Sequence, residues 1–151
     1  MKIILIFLAA LIVTYSWAAK SDELQSAEQE LKAYYFAAAR MNDVEVLKEF
    51  TDAGFPVNSA NSKGYTALMI ATYHGNAEAF HYLISREANT CLSDMNGNTA
   101  LMAAIFRGEF SMAKTLLSYQ CNSEHKNNAG NRAEDFAEIF GRVEILSLLK
   151  R

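Results

Sequence analysis

The sequence predicts an all-α repeat protein, in which about four helix–turn–helix units stack into a solenoid behind a cleaved leader. Two observations support this prediction. Glycines recur every 33 residues in two registers: Gly64, Gly97 and Gly130, and Gly75, Gly108 and Gly141. Alanines recur with the same spacing at Ala38, Ala71, Ala104 and Ala137. A fixed period of roughly 20–50 residues is typical of solenoids, whose units bury their apolar faces against one another.

Each unit is predicted to contain two short helices joined by a tight turn. Thr66 can cap the first helix, and Gly75 can end it in a left-handed conformation. Asn42 takes the place of this glycine in the first copy, and asparagine tolerates that conformation better than most residues. The second helix is expected over about 76–85, followed by a polar loop over 86–97. The predicted buried faces are Leu68, Met69 and Ala71 in the first helix, and Phe80, Leu83 and Ile84 in the second.

Residues 1–18 read as a signal peptide. Lys2 precedes an apolar run over 3–13, and the small residues Ser16 and Ala18 suit cleavage after Ala18. The alternative is an uncleaved anchor, for which this run is short, since a spanning helix needs about 20 residues. The sequence therefore predicts a periplasmic or secreted protein with no membrane attachment after cleavage.

The charge balance argues against two classes of partner. The formal net charge is −3, and removal of Lys2 with the leader makes it one unit more negative. Nucleic acids and anionic membrane surfaces both attract clustered cations, so neither is expected to bind this chain. The length suits a single domain, and four repeats suffice for a stable monomer.

The two cysteines, Cys91 and Cys121, leave two interpretations open. Cys121 occupies the register of Ala88, which favours a small buried side chain. Export also permits a disulfide between neighbouring loops if the Cα atoms come within about 7 Å. Cys121 and His125 supply only two of the four ligands that zinc needs, so no metal and no cofactor is predicted.

Three segments carry a resemblance to a known family: Gly64-Tyr65-Thr66-Ala67-Leu68-Met69-Ile70-Ala71, Gly97-Asn98-Thr99-Ala100-Leu101-Met102-Ala103-Ala104 and Ala53-Gly54-Phe55-Pro56-Val57-Asn58. With these segments the chain resembles the ankyrin repeat family. Ala-Leu-Met replaces the family's Pro-Leu-His, which removes a buried threonine–histidine hydrogen bond. The last copy departs further, as a capping repeat should. The predicted organisation is a signal peptide over 1–18, a capping helix over 19–30, and repeats over about 31–60, 61–93, 94–126 and 127–151.

The resemblance implies a concave binding surface made of loop tips and the exposed sides of the first helices. It implies that the residues facing a partner are Arg40, Met41, Ser62, Lys63, Tyr65, Tyr73, His74, Met95, Asn96, Asn98, Phe106 and Arg107. The last repeat would add Asn128, Ala129, Asn131, Ile139 and Phe140, of which the last two can instead close the core. Tyr73 and Phe106 stand 33 residues apart where the fold needs no large apolar side chain. With the arginines they have the composition of a binding hot spot, unless their rings fold back onto neighbouring helices.

No catalytic constellation is recognisable in the sequence, so the chain is predicted not to be an enzyme. The expected function is that of a protein-binding module outside the cytoplasm. It would act as an adaptor, as a helper of an exported enzyme such as a catalase, or as an immunity or inhibitor protein; these roles are analogies with family members. The alternative is a carrier of a small molecule such as haem, with His74 beside Tyr73 and Phe106.

Overall fold

The computed structural model describes the backbone of residues 2–150 and the side chains of residues 20–150. Over this part the chain forms eight helices and no regular strand, which confirms the predicted all-α repeat fold. The helices are α1 (Lys2–Met41), α2 (Val44–Asp52), α3 (Ala67–His74), α4 (Ala77–Ser85), α5 (Ala100–Arg107), α6 (Phe110–Leu117), α7 (Ala133–Ile139) and α8 (Val143–Leu149).

The chain divides into two compact units, residues 1–34 and residues 35–151. The second unit holds the end of α1 and all helices from α2 to α8. The predicted signal peptide, with its cleavage site after Ala18, lies outside the residues with described side chains. It stays a prediction, as do the capping helix over 19–30 and the repeat boundaries. None of the helices, within the residues that the structure describes, is long and apolar enough to cross a membrane.

The helices of the second unit form two rows. The first helices of successive repeats pack side by side, α3 against α5 and α5 against α7. The second helices form the other row, in which α2 contacts α4 and α6 contacts α8. Each pair within a repeat, such as α3 with α4, also packs together. The stack therefore leaves one side of the first helices free, next to the loops that precede them.

The turn inside each repeat has the predicted backbone geometry. Gly75 ends α3 with φ of 71°, and its amide donates to carbonyls of the last turn. Asn42 adopts φ of 59° at the matching place in the first repeat, which confirms the prediction from its tolerance of left-handed backbone. This conformation reverses the chain within two residues, so the second helix folds back on the first.

Threonine caps begin the first helices of the two middle repeats. The hydroxyl oxygen of Thr66 accepts from the backbone N–H of Met69 at 3.3 Å, and Thr99 does the same for Met102. In the last repeat the backbone N–H of Arg132 donates to the Asp135 carboxylate at 2.7 Å instead. This hydrogen bond is the largest cause that lowers the pKa of Asp135. The hydrogen bond from the Arg132 guanidinium is the next, and it acts in the same direction. The terminal repeat thus keeps a helix start without a threonine.

Tyr35 anchors the first repeat at the centre of an aromatic cluster. It is fully buried, and its ring centroid lies 4.6 Å from that of Phe55 and 5.5 Å from that of Phe50. Burial, with a smaller contribution from Tyr82, raises the pKa of Tyr35 to about 12. The hydroxyl therefore stays protonated over the physiological range.

A disulfide joins Cys91, in the loop after α4, to Cys121, in the loop after α6, with the Cα atoms 5.3 Å apart. The interpretation of Cys121 as a small buried side chain is therefore wrong: it is only partly buried, and its sulfur is bonded. The bond ties together the loops that close two successive repeats.

Candidate binding groove

A groove of about 450 Å³ opens along the free side of the first helices; it is called the binding groove below. Its apolar lining comes from Met69, Ile70, Met102, Ala103, Phe106 and Phe136. Its polar and aromatic lining comes from Arg40, Tyr65, Tyr73, His74, Asp94, Asn98 and Thr99. Its volume falls within the range of roughly 300–1,000 Å³ in which proteins hold small molecules or anchoring side chains.

Tyr73 and Phe106 stack against each other at this groove. Their ring centroids lie 6.1 Å apart and the ring planes differ by 8°. Tyr73 remains 45% exposed and Phe106 39% exposed, so neither ring is part of the core. The alternative in which these rings fold back onto neighbouring helices is met in part, since Tyr73 of α3 packs on Phe106 of α5, but both rings still face solvent.

The aromatic row continues into the last repeat. The ring of Phe140 meets Phe106 edge to face at 4.9 Å and lies 5.8 Å from Phe136. Phe140 is 38% exposed and Ile139 is 63% exposed. The expectation that these two residues can close the core is not met, since both present apolar area to solvent.

Cations lie beside the stacked rings. The Arg107 guanidinium carbon lies 5.5 Å from the Tyr73 ring centroid, within the range of a cation–π interaction. The imidazole of His74 meets the same ring edge to face at 5.4 Å. Partial burial makes the largest contribution to lowering the pKa of His74. The positive charges of Arg40 and Arg107 contribute in the same direction, in that order. The neutral form of the His74 imidazole is therefore favoured beside these guanidinium groups.

The loop tips beside the groove are held by hydrogen bonds to one carboxamide or carboxylate per repeat. Asp94 Oδ1 accepts from the backbone N–H groups of Asn96 and Asn98, at 2.8 Å each. Neighbouring tips are also connected, since the Met95 backbone N–H donates to the Lys63 carbonyl at 3.1 Å. These bonds fix the tips relative to the first helices.

The structure brings half of the twelve sequence-predicted site residues into the groove. Those lining it are Arg40, Tyr65, Tyr73, His74, Asn98 and Phe106. Those outside the lining are Met41, Ser62, Lys63, Met95, Asn96 and Arg107, all of them exposed. In the last repeat, Asn128 and Ala129 are exposed at the loop tip and Asn131 is half-buried.

Two of the lining residues are engaged in contacts within the protein, so they are less available to a partner than the resemblance implied. Tyr65 is half-buried and packs against the core. The Asn98 side chain donates to Asp94 Oδ2 at 3.4 Å and accepts from Asn127 at 2.8 Å. Both residues shape the groove wall more than they offer contacts to a partner.

Sequence reasoning missed the apolar lining. Met69 was expected to be a core residue, yet it and Met102 both line the groove while being nearly buried, at 5% and 1% exposure. Each lies four residues before an aromatic of the stack, Tyr73 or Phe106, and therefore one turn earlier on the same helix face. That i, i+4 spacing is the signal that points to them.

The cysteine–histidine pair is engaged in other interactions. The Cys121 sulfur is bonded to Cys91, and His125 Nε2 lies 2.7 Å from the Gly97 carbonyl oxygen. The residues with described side chains contain no group of three or more metal-ligating side chains.

Comparisons with known proteins agree with the repeat geometry. The sequence model of the family described as "Ankyrin repeats (3 copies)" matches residues 18–94 and 34–129. A Pseudomonas aeruginosa protein whose name describes it as an ankyrin repeat protein is 38% identical over 56 residues, which are 37% of this chain and 33% of that protein. The chain thus spans about a third of that relative's length. The family match covers most of the chain, and the chain belongs to the ankyrin repeat family, whose repeats are protein–protein interaction modules.

Proposed function

We propose that this protein is a non-catalytic module that holds one protein partner outside the cytoplasm through the binding groove. The observation that carries the proposal is the exposed Tyr73–Phe106 stack with Arg107 against it. Aromatic and arginine side chains dominate binding hot spots because they bury large areas and make directional contacts at low entropic cost. A protein that needed none of this area would gain solubility by replacing it with polar residues.

The chemistry of the groove favours binding over catalysis. The Asp94 carboxylate closes a loop tip by accepting backbone N–H groups, which leaves it poorly placed to move protons. His74 has two arginines near it, in place of the carboxylate that orients a general base. No residue of the described lining is a cysteine, serine or lysine nucleophile.

Two features support a location outside the cytoplasm. Residues 1–18 have the composition of a signal peptide. The Cys91–Cys121 disulfide suits an oxidising compartment, since cytosolic thiols are kept reduced. Within this proposal the module acts as an adaptor or helper of an exported enzyme, catalase-type defence included, or as an immunity protein that inhibits its target.

The test is a pulldown from the exported fraction of the native cell. Wild-type protein is compared with a Tyr73→Ala, Phe106→Ala, Arg107→Ala variant. A matched control, Tyr119→Ala, Phe110→Ala, Lys114→Ala, removes residues of similar exposure that do not line the groove, since Tyr119 is 46% and Phe110 38% exposed. Circular dichroism checks that all three proteins fold.

We expect one partner to be recovered with wild type and control and lost with the groove variant. An enzyme partner that stays active in the complex indicates a helper, and one that loses activity indicates an inhibitor. Recovery of the same partner with the groove variant would show that the groove is not the site. If no protein is recovered and added haem gives a Soret shift that His74→Ala abolishes, the function is that of a small-molecule carrier.

A further inference from the structure

The arginines of the described chain differ in how their charges are neutralised. Arg86 pairs with Asp52 at 3.1 Å, and Arg132 lies within 3.5 Å of three carboxylates. Arg142 donates to the carbonyls of Ile105 and Phe106. Arg40 and Arg107, by contrast, form neither an ion pair nor a side-chain hydrogen bond with any residue whose side chain is described. These two lie at the binding groove and beside its aromatic stack.

The carboxylates do not offset these cations. Asp94, the one acidic residue of the described lining, is 7% exposed and already accepts three hydrogen bonds. Two further acids have their own contacts: Glu78 accepts from the Asn42 side chain, and the Glu109 carboxylate lies against Gly75. A chain with a net charge of −3 therefore presents unpaired positive charge at its apolar groove.

This combination selects an occupant by charge and shape. The methionine and phenylalanine lining suits a large apolar side chain, and the exposed face of the aromatic stack suits a second ring. The guanidinium groups provide forked donors that match carboxylates. A basic segment would meet two like charges with no acid to pair with, which costs binding energy.

Resting on the function proposed above, we propose that the groove binds an acidic segment of the partner protein. A large apolar or aromatic side chain of that segment enters the groove, and flanking Asp or Glu carboxylates pair with Arg40 and Arg107.

The test selects binders from a random peptide display library on the full folded chain, so the natural partner is not needed. Three immobilised proteins are compared: wild type, an Arg40→Gln, Arg107→Gln variant, and a Lys48→Gln, Lys114→Gln control that removes two exposed cations outside the groove lining. Enriched peptides are then synthesised and titrated by fluorescence anisotropy. Each is paired with a version in which Asp and Glu are replaced by Asn and Gln.

We expect enriched peptides that combine an aromatic or large aliphatic residue with neighbouring acids. Loss of the acids, or of the two arginines, should weaken binding roughly tenfold, because two exposed ion pairs are lost. The control should bind as wild type does, and added salt should weaken the acidic peptides only. A neutral or basic consensus, no enrichment, or equal binding to the Arg40→Gln, Arg107→Gln variant would overturn the proposal.

The two proposals fail differently. If the pulldown partner depends on Tyr73 and Phe106 but not on Arg40 and Arg107, the groove still binds protein and the acidic segment is wrong. If the partner is retained without the aromatic stack, the proposed function itself is wrong.

Discussion

Asn76 reaches back across the repeat interface to Ala39: its side-chain amide donates to the Ala39 carbonyl at 2.9 Å and to the neighbouring Arg40 carbonyl at 2.8 Å. These are carbonyls at the end of the preceding first helix, which lack partners inside the helix. Arg142 makes the same link to Ile105 two repeats later. At these two interfaces the residue after the turn thus fastens one repeat to the end of the first helix of the repeat before it.

The middle interface lacks this fastening, because Glu109 stands at the corresponding position and a carboxylate cannot donate. Its oxygen lies so close to Gly75 that a Cβ there would come within 2.6 Å of it. The charge therefore sits near the negative end of α3, where the helix dipole disfavours it.

We expect Glu109→Asn to raise the free energy of unfolding by about 1 kcal/mol, since Asn restores two donors. Chemical denaturation measures this, with Glu144→Asn at an exposed position of α8 as control. Equal stability of the two variants would show that the link contributes nothing.

Removal of the disulfide should destabilise the fold substantially. Cys91 and Cys121 are separated by 30 residues, and a bridge closing a loop of that size contributes roughly 3.6 kcal/mol by restricting the unfolded chain. We expect the Cys91→Ser, Cys121→Ser variant to lose about that much in denaturant titrations. Reductant should destabilise wild type and leave the variant unchanged. A wild type insensitive to reductant would contradict this prediction.

His74 should respond to its neighbouring arginines. Because partial burial, Arg40 and Arg107 hold the pKa of His74 below its ordinary value of 6.5, the unfolded chain binds more protons than the folded chain between the two pKa values. The contribution of His74 to stability therefore falls as the pH drops through about 6.5 and levels off below the folded pKa. In an NMR titration, Arg107→Gln should raise the pKa of His74, while Arg86→Gln should leave it unchanged. No change with Arg107→Gln would show that the guanidinium does not act on the imidazole.

Loss of a helix cap should lower the free energy of unfolding by about the contribution of one hydrogen bond. Thr66 is 3% exposed, and its hydroxyl satisfies the Met69 backbone N–H at the start of α3. We expect Thr66→Ala to lower the free energy of unfolding by about 1 kcal/mol. Thermal unfolding checks this, with Ser62→Ala at the exposed loop tip as control. A midpoint no lower than that of the control would rule out the capping role.

The sequence predicted the repeat fold well because its signals are local. A threonine three residues before an amide, or a glycine after a helix, determines a cap or a turn within a few residues, as Thr66 and Gly75 show. The disulfide was harder to predict, because Cys91 and Cys121 occupy different places in the repeat. Only the stacking of the loops brings their Cα atoms to 5.3 Å.

The candidate site could be predicted where its side chains are exposed and lie outside the core. Tyr73 and Phe106 were placed at the partner-facing surface by the family resemblance together with their register, and both line the groove. Met69 was assigned to the core, since a nearly buried side chain can also line a surface groove and sequence alone does not separate the two roles. Asn98 was expected to face a partner, but its side-chain amide is hydrogen-bonded to Asp94 and Asn127. One of these contacts lies within a loop and the other joins two repeats, and neither leaves a periodic pattern in the sequence.

The most direct test of the binding role is calorimetric titration of the recovered partner into three folded proteins: wild type, Tyr73→Ala, Phe106→Ala, Arg107→Ala, and the control Tyr119→Ala, Phe110→Ala, Lys114→Ala. We expect the groove variant to lose at least about 2 kcal/mol of binding free energy, which is roughly thirtyfold in Kd, because it lacks the hot spot. The control should stay within roughly twofold of wild type. Equal affinities for the groove variant and wild type would contradict the claim that this groove holds the partner.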